Sequence, residues 1–249
     1  MRLDVLSLLH SSSLKKLGVS LIDTLFPVRC ISCGSRGECL CKRCLAIFPR
    51  RLKQRCPTCL KKTTPRGEVC FGCFGLSSLD GLFAASMYRS PLVSTSIHTF
   101  KYRFIPSFAQ PLGNWLAERV REVDLPLPDY FIPVPLHPRR LRFRGFNQSA
   151  LLAETLIDEL TPGFDIPIIK DSLLRTRFTK PQMKTHTKEE RQRNLKSAFS
   201  LLPESIPLIR GKSIWLIDDV STTGTTLEEC ARILKDAGAK NVFGIVLAR

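Results

Sequence analysis

The chain has 249 residues, 43% hydrophobic and 24% charged, and its 38 Lys and Arg against 22 Asp and Glu give a formal net charge of +16. That length accommodates an α/β domain of about 170 residues with its own core beside a small cysteine-rich one. The strong positive charge makes a polyanion the expected partner, and the lack of low-complexity tracts or of repeats beyond paired cysteines sets aside fibrous and solenoid classes.

Residues 1–26 contain neither an eighteen-residue apolar run nor a small-residue cleavage site, and they carry Asp4, Lys15, Lys16 and Asp23. No transmembrane segment or secretory signal is expected, so the predicted location is cytoplasmic. Leu6, Leu9, Leu14, Leu17, Leu21 and Leu25 predict an amphipathic helix across this stretch, packing on the protein, on a partner or on a membrane surface.

Residues 27–76 form a second segment with four Cys-x-x-Cys pairs: Cys30 and Cys33, Cys41 and Cys44, Cys56 and Cys59, Cys70 and Cys73. Each pair places two thiolates on one tight turn, and two turns complete a tetrahedral shell, so two structural Zn²⁺ ions are expected. Sequential pairing joins the first two turns and the last two, with an interleaved arrangement open as well. A closed four-thiolate shell leaves no position for water, so such metals hold the fold. Cys39 is a surplus thiol near the first site, and Cys230 is expected to be a small core residue. Eight bound thiolates and two Zn²⁺ would still leave the chain at about +12.

The third segment, residues 79–249, has the apolar pattern of an α/β domain. Tyr130–Leu136 reads as a buried strand, and Asn147–Leu160 as a helix with apolar residues at 151, 152, 156, 157 and 160. Between them a basic loop carries His137, Arg139, Arg140, Arg142 and Arg144. At the carboxyl end of its strand this loop would bring cations to a pyrophosphate, or to a nucleic-acid backbone. Residues 171–200 are polar and basic, with Lys184 and Arg191 within reach of such a site if the segment folds as a flap; an ordinary surface hairpin and helix is the other reading.

The stretch Ile214–Leu227 is the most informative in the chain. Four apolar residues, Ile214 to Ile217, lead into Asp218 and Asp219 and then Ser221-Thr222-Thr223-Gly224-Thr225-Thr226. Leu227–Ala237 reads as a helix ended by Gly238, and Val242–Leu247 as the next strand, completing a βαβ crossover. The loop therefore opens at a helix amino terminus, where free N–H groups favour a phosphate, and its hydroxyls add donors. It lacks the lysine of a nucleoside-triphosphate loop and suits a single phosphate. The two carboxylates beside it then need ribose hydroxyls or a phosphate-bound Mg²⁺ to face.

Ile214–Thr226 resembles the phosphoribosyl-pyrophosphate signature of type I phosphoribosyltransferases. By that resemblance Asp218 and Asp219 are the catalytic acids that hold the ribose hydroxyls, and Ser221, Thr222, Thr223, Gly224, Thr225 and Thr226 form the 5′-phosphate loop. The order of all elements is similar to the ComF family of competence protein F, ComFC and GntX-type proteins. It includes Leu25-Phe26-Pro27, Phe100-Lys101-Tyr102, Val134-Pro135-Leu136 and Arg144-Gly145-Phe146-Asn147-Gln148, with Arg175, Thr179, Gln182, Arg191, Asn194 and Phe199 spaced as in that family.

The resemblance implies a type I phosphoribosyltransferase-like parallel sheet flanked by helices, preceded by a small zinc-ribbon-like module with four-cysteine sites. It implies phosphoribosyl pyrophosphate bound with Mg²⁺, and Lys101, Arg139, Arg142 and Arg144 as pyrophosphate-binding residues. It also implies a role in DNA uptake during natural transformation, with single-stranded DNA and proteins of the uptake machinery as partners. Two functions stand side by side: a phosphoribosyltransferase, or a nonenzymatic single-stranded-DNA-binding adaptor that keeps the fold as scaffold.

Overall fold

The computed structural model describes residues 28–50, 53–103, 105–164, 166–178 and 198–249. The expected amino-terminal helix, and Thr179, Gln182, Lys184, Arg191 and Asn194, lie outside the described residues. Contacts divide the chain into two compact units, one ending at Ala46 and the other running from Ile47 to Arg249. Among its described residues the first holds Cys30, Cys33, Cys41 and Cys44 and the short helix α1 (Lys42–Ala46). The second cysteine cluster belongs with the α/β core, so a division by chemistry at residue 76 and a division by packing do not coincide.

The second unit is built on a parallel sheet of β1 (Gly81–Ser86), β2 (Tyr130–Pro133), β5 (Ser213–Val220) and β6 (Asn241–Ala248), in the order β1-β6-β5-β2. Helices α2 (Pro91–Tyr102) and α3 (Ala109–Glu122) follow β1. After β2 come α4 (Pro138–Arg144) and α5 (Gln148–Leu160). A two-stranded antiparallel pair, β3 (Leu173–Arg175) with β4 (Phe199–Leu201), stands apart from the main sheet. One turn of helix, α6 (Ile206–Ile209), precedes β5, and α7 (Thr225–Asp236) makes the crossover from β5 to β6. No helix among the described residues is long and apolar enough to cross a membrane.

The expected α/β class with a parallel sheet flanked by helices is the observed one. The central strands carry the apolar runs expected of buried parallel strands, Ile214 to Ile217 in β5 and Val242 to Ala248 in β6. Ile214, Leu216, Val242 and Val246 pack with Leu227, Cys230, Ala231 and Leu234 of α7 in one core cluster. Cys230 is thus a small core side chain, and its thiol is pushed up by burial.

Two local differences from the sequence reading matter for the site. Strand β5 continues to Val220, so Asp218 and Asp219 are strand residues held by pairing with β6. The basic stretch read as a loop is the helix α4. Pro138 supplies a preset first helical position, His137 Nδ1 accepts the Arg139 N–H at 3.1 Å, and Gly145 ends the helix at φ 79°.

The second cysteine segment is fastened along the edge strand β1. Gln54 pairs with Ala84 as a strand would, its Nε2 donating to the Ala84 carbonyl at 3.1 Å and its Oε1 accepting the Ala84 N–H at 3.2 Å. Leu82 N–H donates to Gly67 O and Val69 N–H to Asp80 O, both at 2.9 Å. Farther along, Glu228 in the first turn of α7 accepts from Ser77 Oγ at 2.6 Å and from the Ser78 N–H.

Candidate functional site

The carboxyl ends of β2 and β5, the end of α2 and the helix α4 surround a pocket of about 600 Å³. Its lining includes Lys101, Tyr102, Arg140, Arg144, Gln148, Arg175, Asp218, Asp219, Thr222 and Thr226. The position, just outside the carboxyl edge of a parallel sheet, is where α/β folds bind ligands.

The acid pair is built differently on its two members. Asp218 Oδ1 accepts from Ser149 Oγ at 3.0 Å and from the Asp219 N–H at 2.9 Å. Asp219, 5% exposed, pairs with Lys101 Nζ at 2.8 Å. Burial, and then the charge of Asp219, push Asp218 up to about 7 against the opposing pull of Lys101. Burial works against the Lys101 ammonium, yet the charge and hydrogen bond of Asp219, with the charge of Asp218, together leave Lys101 above its usual range. Between about pH 4 and pH 7 the folded protein keeps a proton on Asp218 that the unfolded chain has released. The contribution of Asp218 to stability therefore falls as pH rises through that window.

Around the acids stand cations with too little negative charge to match them. Helical geometry puts Arg140 and Arg144, four residues apart, on one face of α4, and both line the pocket. Arg139 and Arg142 are exposed and do not line it; Arg139 lies 5.5 Å from the Phe178 ring. Of the four residues expected at a pyrophosphate, Lys101 and Arg144 are thus at the pocket. Arg140 and Arg175 join them, Arg175 from β3, where it is 9% exposed and stacks over Phe199 at 5.2 Å. Burial, followed by the charge of Arg144, lowers Arg140, while burial and then Arg140 lower Arg175. Since guanidinium groups stay protonated, this mutual repulsion is a standing preference for an anion. Arg144 Nη1 donates to Gln148 Oε1 at 2.8 Å and leaves the buried Gln148 Nε2 without a partner at the pocket wall.

The hydroxyl-rich loop runs from Ser221 into α7. Gly224, at φ 83°, makes the corner that an L side chain would strain, and the first N–H groups of α7 lie just beyond it. Thr222 and Thr226 line the pocket, and the hydroxyls of Thr223 and Thr225 bond each other at 2.8 Å. Ser221 Oγ is buried without a hydrogen-bond partner.

The eight paired cysteines gather as sequential pairing expects: Cys30, Cys33, Cys41 and Cys44 in one cluster, and Cys56, Cys59, Cys70 and Cys73 in the other. Within each cluster all four Sγ atoms lie within 4.8 Å of one another, and all ten cysteines are unbridged. Cys33 and Cys41 Sγ are 3.6 Å apart, and Cys59 and Cys70 Sγ 3.9 Å. A tetrahedral Zn²⁺ with sulfur at about 2.3 Å needs about 3.8 Å between sulfurs, so the donor sets fit it. Hydrogen bonds from Ser35 lower Cys33 to about 6, whereas burial pushes Cys73 up to about 12. Cys39 stays outside the first cluster.

Residues 147–249 match the phosphoribosyl transferase domain family. Competence protein F of Haemophilus influenzae is 32% identical over 238 residues, covering 90% of this chain and 98% of that protein. The DNA utilization protein YhgH of Escherichia coli K12 is 34% identical over 85% of this chain and 90% of its own length. Competence protein ComFC of Streptococcus pneumoniae is 28% identical over 85% of this chain and 88% of its own.

Proposed function

The chain belongs to the competence protein F and YhgH family, and from that membership we propose that it binds phosphoribosyl pyrophosphate with Mg²⁺ and transfers the phosphoribosyl group. The observation that carries the reading is one pocket in which a strand-borne acid pair, a phosphate-type loop and a cluster of cations meet. Asp218 and Asp219 hold the ribose hydroxyls, Ser221 to Thr226 take the 5′-phosphate, and Lys101, Arg140, Arg144 and Arg175 face the pyrophosphate. Mg²⁺ would neutralise charge on the pyrophosphate as it leaves. In the transfer the bond from C1′ to the pyrophosphate oxygen breaks as an acceptor nucleophile bonds to C1′. Cations fixed before the reaction stabilise the departing charge without reorganising.

Lys101 is the group that must change partners. It neutralises Asp219, and a ribose whose hydroxyls donate to the acids frees it for the pyrophosphate. Each four-cysteine cluster would hold one structural Zn²⁺ that fastens its own segment of chain.

The relatives named for competence and DNA utilization support a role in handling DNA taken up by the cell. A single-stranded DNA partner is favoured by the second cysteine segment, where Phe71 is 99% and Phe74 83% exposed and Lys61 and Lys62 are exposed. Exposed rings stack bases, and cations track the backbone. Proteins of the uptake machinery are the further partners implied.

The test is pyrophosphate release from phosphoribosyl pyrophosphate and Mg²⁺, with free nucleobases and single-stranded DNA offered as acceptors. Release that requires one of them is the expected result. Tight binding with no release under any acceptor would make the protein an adaptor on a phosphoribosyltransferase scaffold.

A further inference from the structure

The phosphate loop contains no cation of its own between Ser221 and Thr226, yet one guanidinium from elsewhere in the fold reaches its corner. Strands β5 and β6 pair in parallel up to Val220 and Ala248, and the Ser221 N–H donates to the Ala248 carbonyl at 3.0 Å. Register alone therefore brings Arg249 beside the start of the loop. Its backbone is fixed on the other side, N–H to Ser86 O at 3.1 Å and carbonyl from Tyr88 N–H at 3.0 Å.

Arg249 Nη2 lies 3.8 Å from the point a Cβ on Gly224 would occupy, and Ser221 Oγ lies 3.9 Å from the same point. A guanidinium and a buried, unpartnered hydroxyl thus converge on the glycine corner. Arg249 Nη2 also donates to the Pro57 carbonyl at 3.2 Å, within the turn Cys56-Pro57-Thr58-Cys59. A guanidinium has five N–H donors, so this bond orients it without exhausting it.

We propose that Arg249 is the cationic ligand of the 5′-phosphate subsite, aimed at the loop by the Cys56–Cys59 turn, with Ser221 Oγ as its neutral companion. The inference rests on the phosphate-loop reading above and adds what that loop lacks, a fixed charge for a phosphomonoester dianion. It also makes the Cys56–Cys59 turn part of the ligand site. Arginine suits the task, since its planar fork can hold a carbonyl and a phosphate oxygen together where lysine offers a point charge.

The experiment compares the full chain with Arg249→Gln and Arg249→Lys by calorimetry, using ribose 5-phosphate and inorganic pyrophosphate as separate probes and measuring zinc in each preparation. Arg249→Gln is expected to weaken ribose 5-phosphate roughly tenfold or more while leaving pyrophosphate unchanged, because one charge-assisted contact is lost from one subsite only. Full zinc content with ribose 5-phosphate affinity unchanged, or an equal loss for both probes, overturns the proposal. Should Arg249→Gln lose metal, Arg249→Lys decides: a severalfold loss for ribose 5-phosphate alone upholds it, and wild-type affinity overturns it. Absence of binding by the unsubstituted protein would instead overturn the phosphate-loop reading, and this inference with it.

Discussion

Replacing Lys101 with methionine is expected to destabilise the unliganded protein by about 2–4 kcal/mol at pH 8, because it leaves a buried carboxylate pair without its cation. Lys101 Nζ lies 2.8 Å from Asp219 Oδ1, and the two side chains are 22% and 7% exposed, so water replaces the lysine poorly. Methionine keeps much of the side-chain volume, which confines the change to charge. The loss should shrink at pH 5, where protonation of Asp218, whose carboxyl is raised to about 7, relieves the same repulsion. Urea denaturation at the two pH values measures this. An unchanged midpoint at pH 8 would mean that the acid pair is neutralised by something other than Lys101.

Replacing Cys56 with serine is expected to lower bound zinc from two ions per chain to one and to destabilise the unit from Ile47 onward by at least about 3 kcal/mol. The metal's free energy of binding is folding free energy for the segment it closes, and Gln54, Gly67 and Val69 of that segment bond to Ala84 and Leu82 of β1 and to Asp80 just before it. Asp80 also accepts the Val242 N–H at 2.6 Å and pairs with Lys235 at 2.8 Å, so loosening the segment reaches β6 and α7. Elemental analysis with a thermal melt checks both parts. Two retained zinc ions and an unchanged melt would separate this cluster from the stability of the α/β unit.

How far the sequence could be read depends on whether each feature is local. Strand β5, the loop and α7 were legible because an apolar run, a glycine corner and a helical stripe follow one another within one crossover. The four-cysteine clusters were legible because each pair is one turn. The basic segment was read as a loop since its charge masked the capping features, His137, Pro138 and Gly145, that make α4 a helix. That difference decides which arginines matter: on a helix, Arg140 and Arg144 share a face, while Arg139 and Arg142 point elsewhere. Arg175 enters the pocket from a different pair of strands, a placement set by tertiary packing and marked in the sequence only by its spacing. Arg249 carried no sequence signal at all, because its nearness to the loop is a matter of strand register.

Whether the pocket is a phosphoribosyl pyrophosphate site that works through its acid pair is decided by calorimetry of that ligand with and without Mg²⁺, beside the Asp218→Asn/Asp219→Asn variant. Binding is expected to require Mg²⁺, to tighten as pH rises from about 6 to 8 while Asp218 gives up its proton, and to disappear in the double variant. Undiminished affinity in that variant, or no binding by the unsubstituted protein, would contradict such a site.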